Sequence, residues 1–404
     1  MAGKCPMHGH EQPLDDAYFA NPYATYARLN EAGPVHRFCL PDGIPVWGVT
    51  AYGEVREWLR DQRLARPRSF ANEDYTNDVP PEGVPVAPLV MEDPPEHGHT
   101  RRLVNFAFMP KRVAQMREKI DALVAGLLDD LAAAGADGKV VDLAGMFCAP
   151  LPIVMVSEML GVPREAWDDV RRWTDDIFGR TDEVNYEAKV GFANLLRGLI
   201  AERTEEPKDD LISVWALATD MNGEVIPAEQ VMLLILTIYT GGFDSTLGAL
   251  SASAIDLMNH SEHAAEFVAK PDLVPAAVEE LLRRNGSVHR GFRRFAREEV
   301  EIAGQKIGVG DTVMLYVSAA DRDPKQFPDP DVMDFSRPAY QHIAFGRGPH
   351  VCPGAELARL EMRIGLHALF SRFPNIRLAV PEAELEWRTS TFIRVPKALP
   401  VILS

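Results

Sequence analysis

The segment from Pro227 to about Asn259, PAEQVMLLILTIYTGGFDSTLGALSASAIDLMN, is apolar nearly all round and starts with proline. Proline pre-sets the first helical turn and needs no N–H partner there. A helix without a polar face has to be covered on every side by other elements. The spacing predicts a helix through the middle of the protein, on the order of 45–50 Å long at about 1.5 Å per residue. A chain of 404 residues, 46% hydrophobic and 25% charged, has enough apolar sequence to provide that cover.

Most of the remaining pattern is also helical. Val113, Met116, Ile120, Val124, Leu127, Leu128 and Leu131 make one buried stripe over 110–134. Residues 163–178, 186–203, 273–284 and 355–373 read as further helices. Strands are few: Ile44–Thr50, Val300–Ala303, Thr312–Ser318 and Pro400–Leu403 are the candidates. With no βαβ alternation, the expected class is mainly α with small β sheets, α+β. A proline-rich stretch from Pro67 to Pro95 is long enough to be a lid or a binding element, and a second cluster runs from Pro324 to Pro353.

Acidic residues exceed basic ones to a formal net charge of −17, which argues against nucleic acid as the main partner. The first residues contain no apolar run of signal-peptide type, and Val231–Tyr239, interrupted by Thr237, is too short to span a bilayer. Residues 1–15 are expected to be a disordered tail. Cys5, Cys39, Cys148 and Cys352 form no CxxC, so a disulfide framework is not expected and a cytoplasmic location is the default.

The sharpest motif is Phe345-Gly346-Arg347-Gly348-Pro349-His350-Val351-Cys352-Pro353-Gly354, directly before a helix. Glycines and prolines stiffen the turn, and N–H groups at a helix start favour an anion, so the Cys352 thiolate should be favoured. Such a thiolate is a nucleophile or a metal ligand. No second Cys or paired His lies near at zinc spacing. A single soft ligand suits haem iron, whose porphyrin supplies the other four nitrogens, and without C-x-x-C-H no covalent attachment is expected. Cys5, Cys39 and Cys148 read as plain structural cysteines, and Cys5, His8 and His10 as part of the tail rather than a metal site.

The pattern Phe-Gly-x-Gly-x-His-x-Cys-x-Gly resembles the haem-binding loop of the cytochromes P450, soluble bacterial type, and matches Phe345 through Gly354. Three other motifs stand in that family's order, so the resemblance spans nearly the whole chain. It implies a single catalytic domain over 1–404 of cytochrome P450-like fold. Haem b would lie between the long central helix and the helix after the cysteine, with Cys352 as its axial thiolate.

Glu280 and Arg283, three apart on one helix face, can pair. The family adds an arginine matching Arg337, and the implied role is to hold the cysteine loop. Gly241, Gly242, Asp244 and Ser245 match the oxygen-activating helix. Two glycines in mid-helix point to close backbone approach or a local opening, and Ser245 stands where the family usually has threonine. Either Ser245 or the adjacent Thr246 is the working hydroxyl. His97 and Arg101, in Asp93-Pro94-Pro95-Glu96-His97-Gly98-His99-Thr100-Arg101-Arg102, match propionate-binding positions, as do Arg294 and His350.

The implied activity is a haem-thiolate monooxygenase inserting one atom of O2 into an apolar small molecule. No nicotinamide, flavin or iron–sulfur motif is visible, so electrons would come from a ferredoxin and an NAD(P)H-dependent ferredoxin reductase. Arg102, Lys111, Arg112, Arg347 and Arg359 are candidates for a basic docking patch. Phe70, Leu89, Phe178, Phe243, Val288, His289 and Phe392 are candidates for the substrate pocket. Two rivals are a peroxide-driven peroxygenase, against which the Asp244–Ser245 pair argues, and a non-catalytic haem sensor. No membrane partner is expected.

Overall fold

The apolar segment folds as one uninterrupted helix, Ala228–Asn259, behind an extended Pro227. The computed structural model describes residues 13–75, 89–177, 186–220, 222–338 and 341–403. Its helices in chain order are α1 (Asp16–Ala20), α2 (Pro22–Ala32), α3 (Tyr52–Trp58), α4 (Glu96–Ala107), α5 (Pro110–Ala134), α6 (Pro150–Leu160) and α7 (Trp167–Ile177). They continue with α8 (Tyr186–Glu205), α9 (Leu211–Ala216), α10 (Ala228–Asn259), α11 (Ser261–Ala269), α12 (Val274–Asn285), α13 (Val317–Ala320) and α14 (Ala355–Arg372). By length and composition alone α10 could cross a membrane, more than the Val231–Tyr239 run suggests. Here α6, α8, α9, α12 and α14 pack around it, and its apolar faces join the largest core cluster.

A five-stranded sheet runs in the order β1 (Val35–Cys39), β2 (Pro45–Val49), β8 (Thr312–Leu315), β5 (Arg294–Ala296) and β3 (Leu64–Ala65). Its β2–β8 pair is parallel and the other three are antiparallel. The β3–β5 register sets Leu64 against Ala296 and Ala65 against Phe295. Two smaller sheets are β4 (Val141–Asp142), β10 (Pro400–Ile402) and β9 (Arg377–Leu378), and the β6 (Val300–Ile302), β7 (Gln305–Ile307) pair.

Several boundaries move for local reasons. The strand expected to reach Ser318 stops at Leu315, because its partner β2 ends at Val49, and the chain turns into α13. The helix expected from 163 starts at Trp167, after a 3-10 turn over Arg164–Ala166. Helix α6 is not among the helices expected from the sequence; Pro150 and Pro152 both lie in its first turn, where a missing N–H costs little. The expected tail falls outside the described residues up to position 12. Beyond it Leu14 is buried and Asp15 accepts the Tyr18 N–H as the N-cap of α1, so order starts before residue 15. Cys148 is a buried cysteine outside any disulfide, as expected, whereas Cys39 is disulfide-bonded, contrary to its expected reduced state.

One glycine of α10 sets how closely the C-terminal segment approaches. A Cβ at Gly248 would lie 2.6 Å from the Arg394 carbonyl oxygen and 2.7 Å from the Ser287 Cβ. Backbone cannot give way as a side-chain tip does, so Gly248→Ala is expected to destabilise the fold by about 1–3 kcal/mol. A thermal melt beside wild type measures it; an unchanged midpoint refutes the tight contact.

Candidate active site

The cysteine loop is built by left-handed glycines. Gly346 and Gly348 have φ of 71° and 78°, a region that side chains with a Cβ enter at a cost. The Gly346 N–H donates to the Ile343 carbonyl at 2.7 Å, and the Cys352 N–H to the Phe345 carbonyl at 2.9 Å. Gly354 is the N-cap of α14, and a Cβ there would stand 3.4 Å from the Phe108 ring and 4.0 Å from the Cys352 Sγ. Burial pushes the Cys352 thiol up, while the Gly354 N–H, Arg101 and Arg359 pull it down. The expectation that the helix start alone favours a thiolate is thus corrected, because desolvation outweighs one N–H and two neighbouring cations. A metal bound at sulfur removes that proton outright.

The network below this loop is larger than the sequence suggested. Glu280 takes Arg283 in a two-pronged pair at 2.7 and 2.8 Å, with both side chains only 3% exposed, and Arg337 joins at 3.2 Å. Arg283 also donates to the carbonyls of Asp321 and Pro330. Glu280 and its two arginines therefore grip the proline-rich segment. The cysteine loop is reached one step further on, where the Ile343 N–H donates to the Asp321 carboxylate at 2.8 Å. Glu279, which the sequence reading passed over, reaches the loop directly. It binds Arg359 at 2.7 and 2.9 Å and His342 at 2.9 Å. Despite the opposing burial, His342 and Arg359 hold the Glu279 carboxyl down at about 2. The Arg359 guanidinium lies over the Phe345 ring, 4.5 Å from its centroid. This removes Arg359 from the expected docking patch, since it is buried on Glu279; Arg102 and Lys111 are exposed, Arg112 and Arg347 half-buried.

The His97 and His350 rings are in contact, tilted by 43° with centroids 4.0 Å apart. Arg101 donates to the Val351 carbonyl at 2.6 Å and to Asn105 at 2.8 Å. Arg294, buried on β5, donates to the Leu59 carbonyl at 2.9 Å. Burial pushes the His350 imidazole down to about 2, and Arg66, His97, Arg294 and Arg101 push the same way. Burial likewise lowers Arg294 to about 10, against the pull of Asp93 and Asp61. His97 Nε2 and Arg294 Nε are buried without partners. The four residues expected at the propionates are thus brought together, and Arg66, absent from that expectation, joins them. Buried donors of one sign call for an anion. Two carboxylates on the edge of a haem fit this cluster, and the Cys352 sulfur in its glycine loop fits iron.

On α10, Thr240 and Gly241 are the two exposed residues between Val231 and Leu257, and Gly242, Asp244 and Ser245 are half-buried. Positions 240, 241, 244 and 245 share one helix face. A Cβ at Gly241 would meet nothing within 4 Å, and one at Gly242 would meet Val156 at 3.0 Å. Close approach therefore explains Gly242, but the helix is not opened. Ser245 Oγ donates to the Gly241 carbonyl at 2.6 Å, whereas Thr246 is buried. Asp244 is paired with Arg388 at 2.9 Å. Nothing in the sequence signalled Arg388, which lies 144 residues away in the C-terminal segment.

The pocket candidates separate. Phe243 is fully buried in the main core, and Leu89 is buried there too, with φ of 71°. His289 faces away, its Nδ1 2.8 Å from the Tyr26 hydroxyl, and burial pushes it down to about 3. Phe70 packs in the N-terminal cluster under the Arg297 guanidinium. Val288 borders the sheet core and bridges to Ile393. Phe392 is half-buried with its ring 4.7 Å from that of Phe292. Phe178 lies outside the described residues.

Comparison with known proteins agrees with this geometry. Residues 149–397 match the family model described as Cytochrome P450. The chain is 36% identical over 393 residues to Nocardicin C N-oxygenase of Nocardia uniformis subsp. tsuyamanensis, covering 96% of this chain and 97% of that protein. It is 36% identical over 399 residues to Mycinamicin IV hydroxylase/epoxidase of Micromonospora griseorubida, covering 96% and 98%. The solved structure of the bacillaene polyketide synthase cytochrome P450 PksS of Bacillus subtilis 168 superposes with a TM-score of 0.86 at 31% identity, over 98% of this chain and 100% of that one. With its helical body, small sheets and full-length relatives, the chain belongs to the cytochrome P450 family, among the bacterial monooxygenases and hydroxylases.

Proposed function

We propose that the protein, one catalytic domain, holds a non-covalent haem b through Cys352 and oxygenates an apolar small molecule by hydroxylation, epoxidation or oxidative dealkylation. The observation that carries this reading is the pairing of a glycine-built cysteine loop with a buried cluster of cationic and N–H side chains in which His97 Nε2, Arg66 Nε and Arg294 Nε have no partner among the described residues. When bound, the haem supplies O2 activation and transfer of one oxygen atom to the substrate, the other leaving as water.

The chain's own residues then have separable tasks. His97, Arg101, Arg294 and His350 hold the propionates, and Phe345, Gly346 and Gly354 shape the loop around the sulfur. The Gly354 N–H bonded to Cys352 steadies its charge. Gly241 and Gly242 keep the helix bare of side chains beside Asp244 and Ser245. Ser245, accessible where Thr246 is not, moves a proton while its hydroxyl exchanges the Gly241 carbonyl for a new partner. Arg388 fixes the rotamer of Asp244. The half-buried Phe292 and Phe392 rings offer an apolar wall. A ferredoxin with its NAD(P)H-dependent reductase supplies electrons, and a cytoplasmic location suits that supply.

Turnover with a surrogate ferredoxin, reductase and NADPH, run beside peroxide alone over a panel of apolar compounds, tests the reading. Product in the first assay is expected. Product from peroxide only makes the protein a peroxygenase, and none in either points to the sensor. Asp244→Asn is expected to slow ferredoxin-driven turnover by roughly tenfold to a hundredfold with unchanged haem content. An unaltered rate removes Asp244 from the proton path.

A further inference from the structure

Arg66 follows β3 directly, and continuing the β3–β5 register by one residue sets it across from Arg294. Two like charges facing each other on a sheet repel, and burial strengthens that repulsion. Arg66 is 4% exposed and Arg294 3%. The Arg66 guanidinium makes one long contact, 3.4 Å to the Val90 carbonyl, and its centre lies 5.8 Å from the Phe292 ring centroid. Its Nε is buried without a partner, as is that of Arg294. Asp93, the nearby acid, accepts the Arg66 backbone N–H at 3.1 Å and the side chain of Arg297, and makes no hydrogen bond to the Arg66 guanidinium. Burial and Arg294 both push Arg66 well below the usual arginine range, and Arg66 in turn helps to lower His97. The two facing guanidiniums thus have no acid hydrogen-bonded to either of them among the described residues.

We propose that Arg66 is a haem-propionate ligand acting with Arg294 as a facing pair of guanidiniums on one carboxylate. The proposal rests on the haem reading above. It assigns Arg66 to cofactor retention and to the iron potential, not to the substrate. A planar guanidinium takes a carboxylate through two parallel N–H bonds, a geometry that lysine cannot reproduce.

The test loads wild type, Arg66→Gln and Arg66→Lys with haem or with haem dimethyl ester, whose propionates carry no charge. Transfer to apomyoglobin, followed by absorbance, gives the rate of cofactor loss. With haem, the glutamine variant is expected to lose cofactor about tenfold faster or more, with the lysine variant in between. Its ferric/ferrous potential should shift negative, since a cation that opposes the ferric charge is gone. With the dimethyl ester all three should agree within about twofold. A glutamine variant no faster than wild type, or equally faster with the ester, overturns the proposal, because a merely structural arginine cannot sense the ester. Should the glutamine variant not fold, the lysine-to-wild-type ratio in the two cofactors decides in the same way. Failure of wild type itself to retain haem overturns the haem reading, and this proposal with it.

Discussion

Cys352→Ala is expected to abolish the carbon monoxide difference band of a thiolate-ligated haem, and with it ferredoxin-driven turnover. The sulfur is the one soft donor in a loop whose geometry depends on Gly346 and Gly348. His350, two residues away, is already engaged with His97, and burial among cations keeps it uncharged. Alanine removes the ligand but no backbone hydrogen bond, so the Cys352-to-Phe345 bond and α14 should survive. Circular dichroism and the thermal midpoint should therefore change little while the spectrum changes completely. A persisting thiolate band would show that another side chain holds the iron, and the assignment of Cys352 would fall.

The second large effect is on stability. Glu280→Gln leaves Arg283 buried with its charge uncompensated, since both side chains are only 3% exposed and Glu280 also accepts the Asp334 N–H and Arg337. Breaking such a pair from one side costs about 3–5 kcal/mol, a large part of the roughly 5–15 kcal/mol that holds a domain together. Arg337→Gln, at a half-buried position contributing one 3.2 Å bond to the acid, should cost only about 1–2 kcal/mol. Urea titrations of the two variants measure the contrast. Equal losses would mean that Glu280 and Arg337 matter only as packing. Because the network reaches the cysteine loop through Asp321 and Ile343, haem release should follow the loss of stability in Glu280→Gln.

Much of this site was legible from residue order. The cysteine turn needs glycine where φ is positive, and Gly346 and Gly348 are at those positions. The apolar run after Pro227 has the period and length of a buried helix, and the helix ends at Asn259. His97, Arg101, Arg294 and His350 came through the family pattern, although they stand far apart in the chain. These are local rules, or motifs whose spacing survives in one dimension.

Long-range pairing was not legible. Arg66 became a candidate only because β3 lies beside β5, and Arg388 only because the C-terminal segment returns to α10. Arg359 read as a surface charge until Glu279 buried it, and His289 and Phe243 read as pocket residues until Tyr26 and the main core claimed them. A charged or aromatic side chain has the same local signature whether it meets water, a partner or a cofactor. By itself the order of residues determined the long central helix, the glycine turn and the sulfur. Only the folded arrangement decided which charges face one another without an acid between them, because burial and distance are properties of three dimensions.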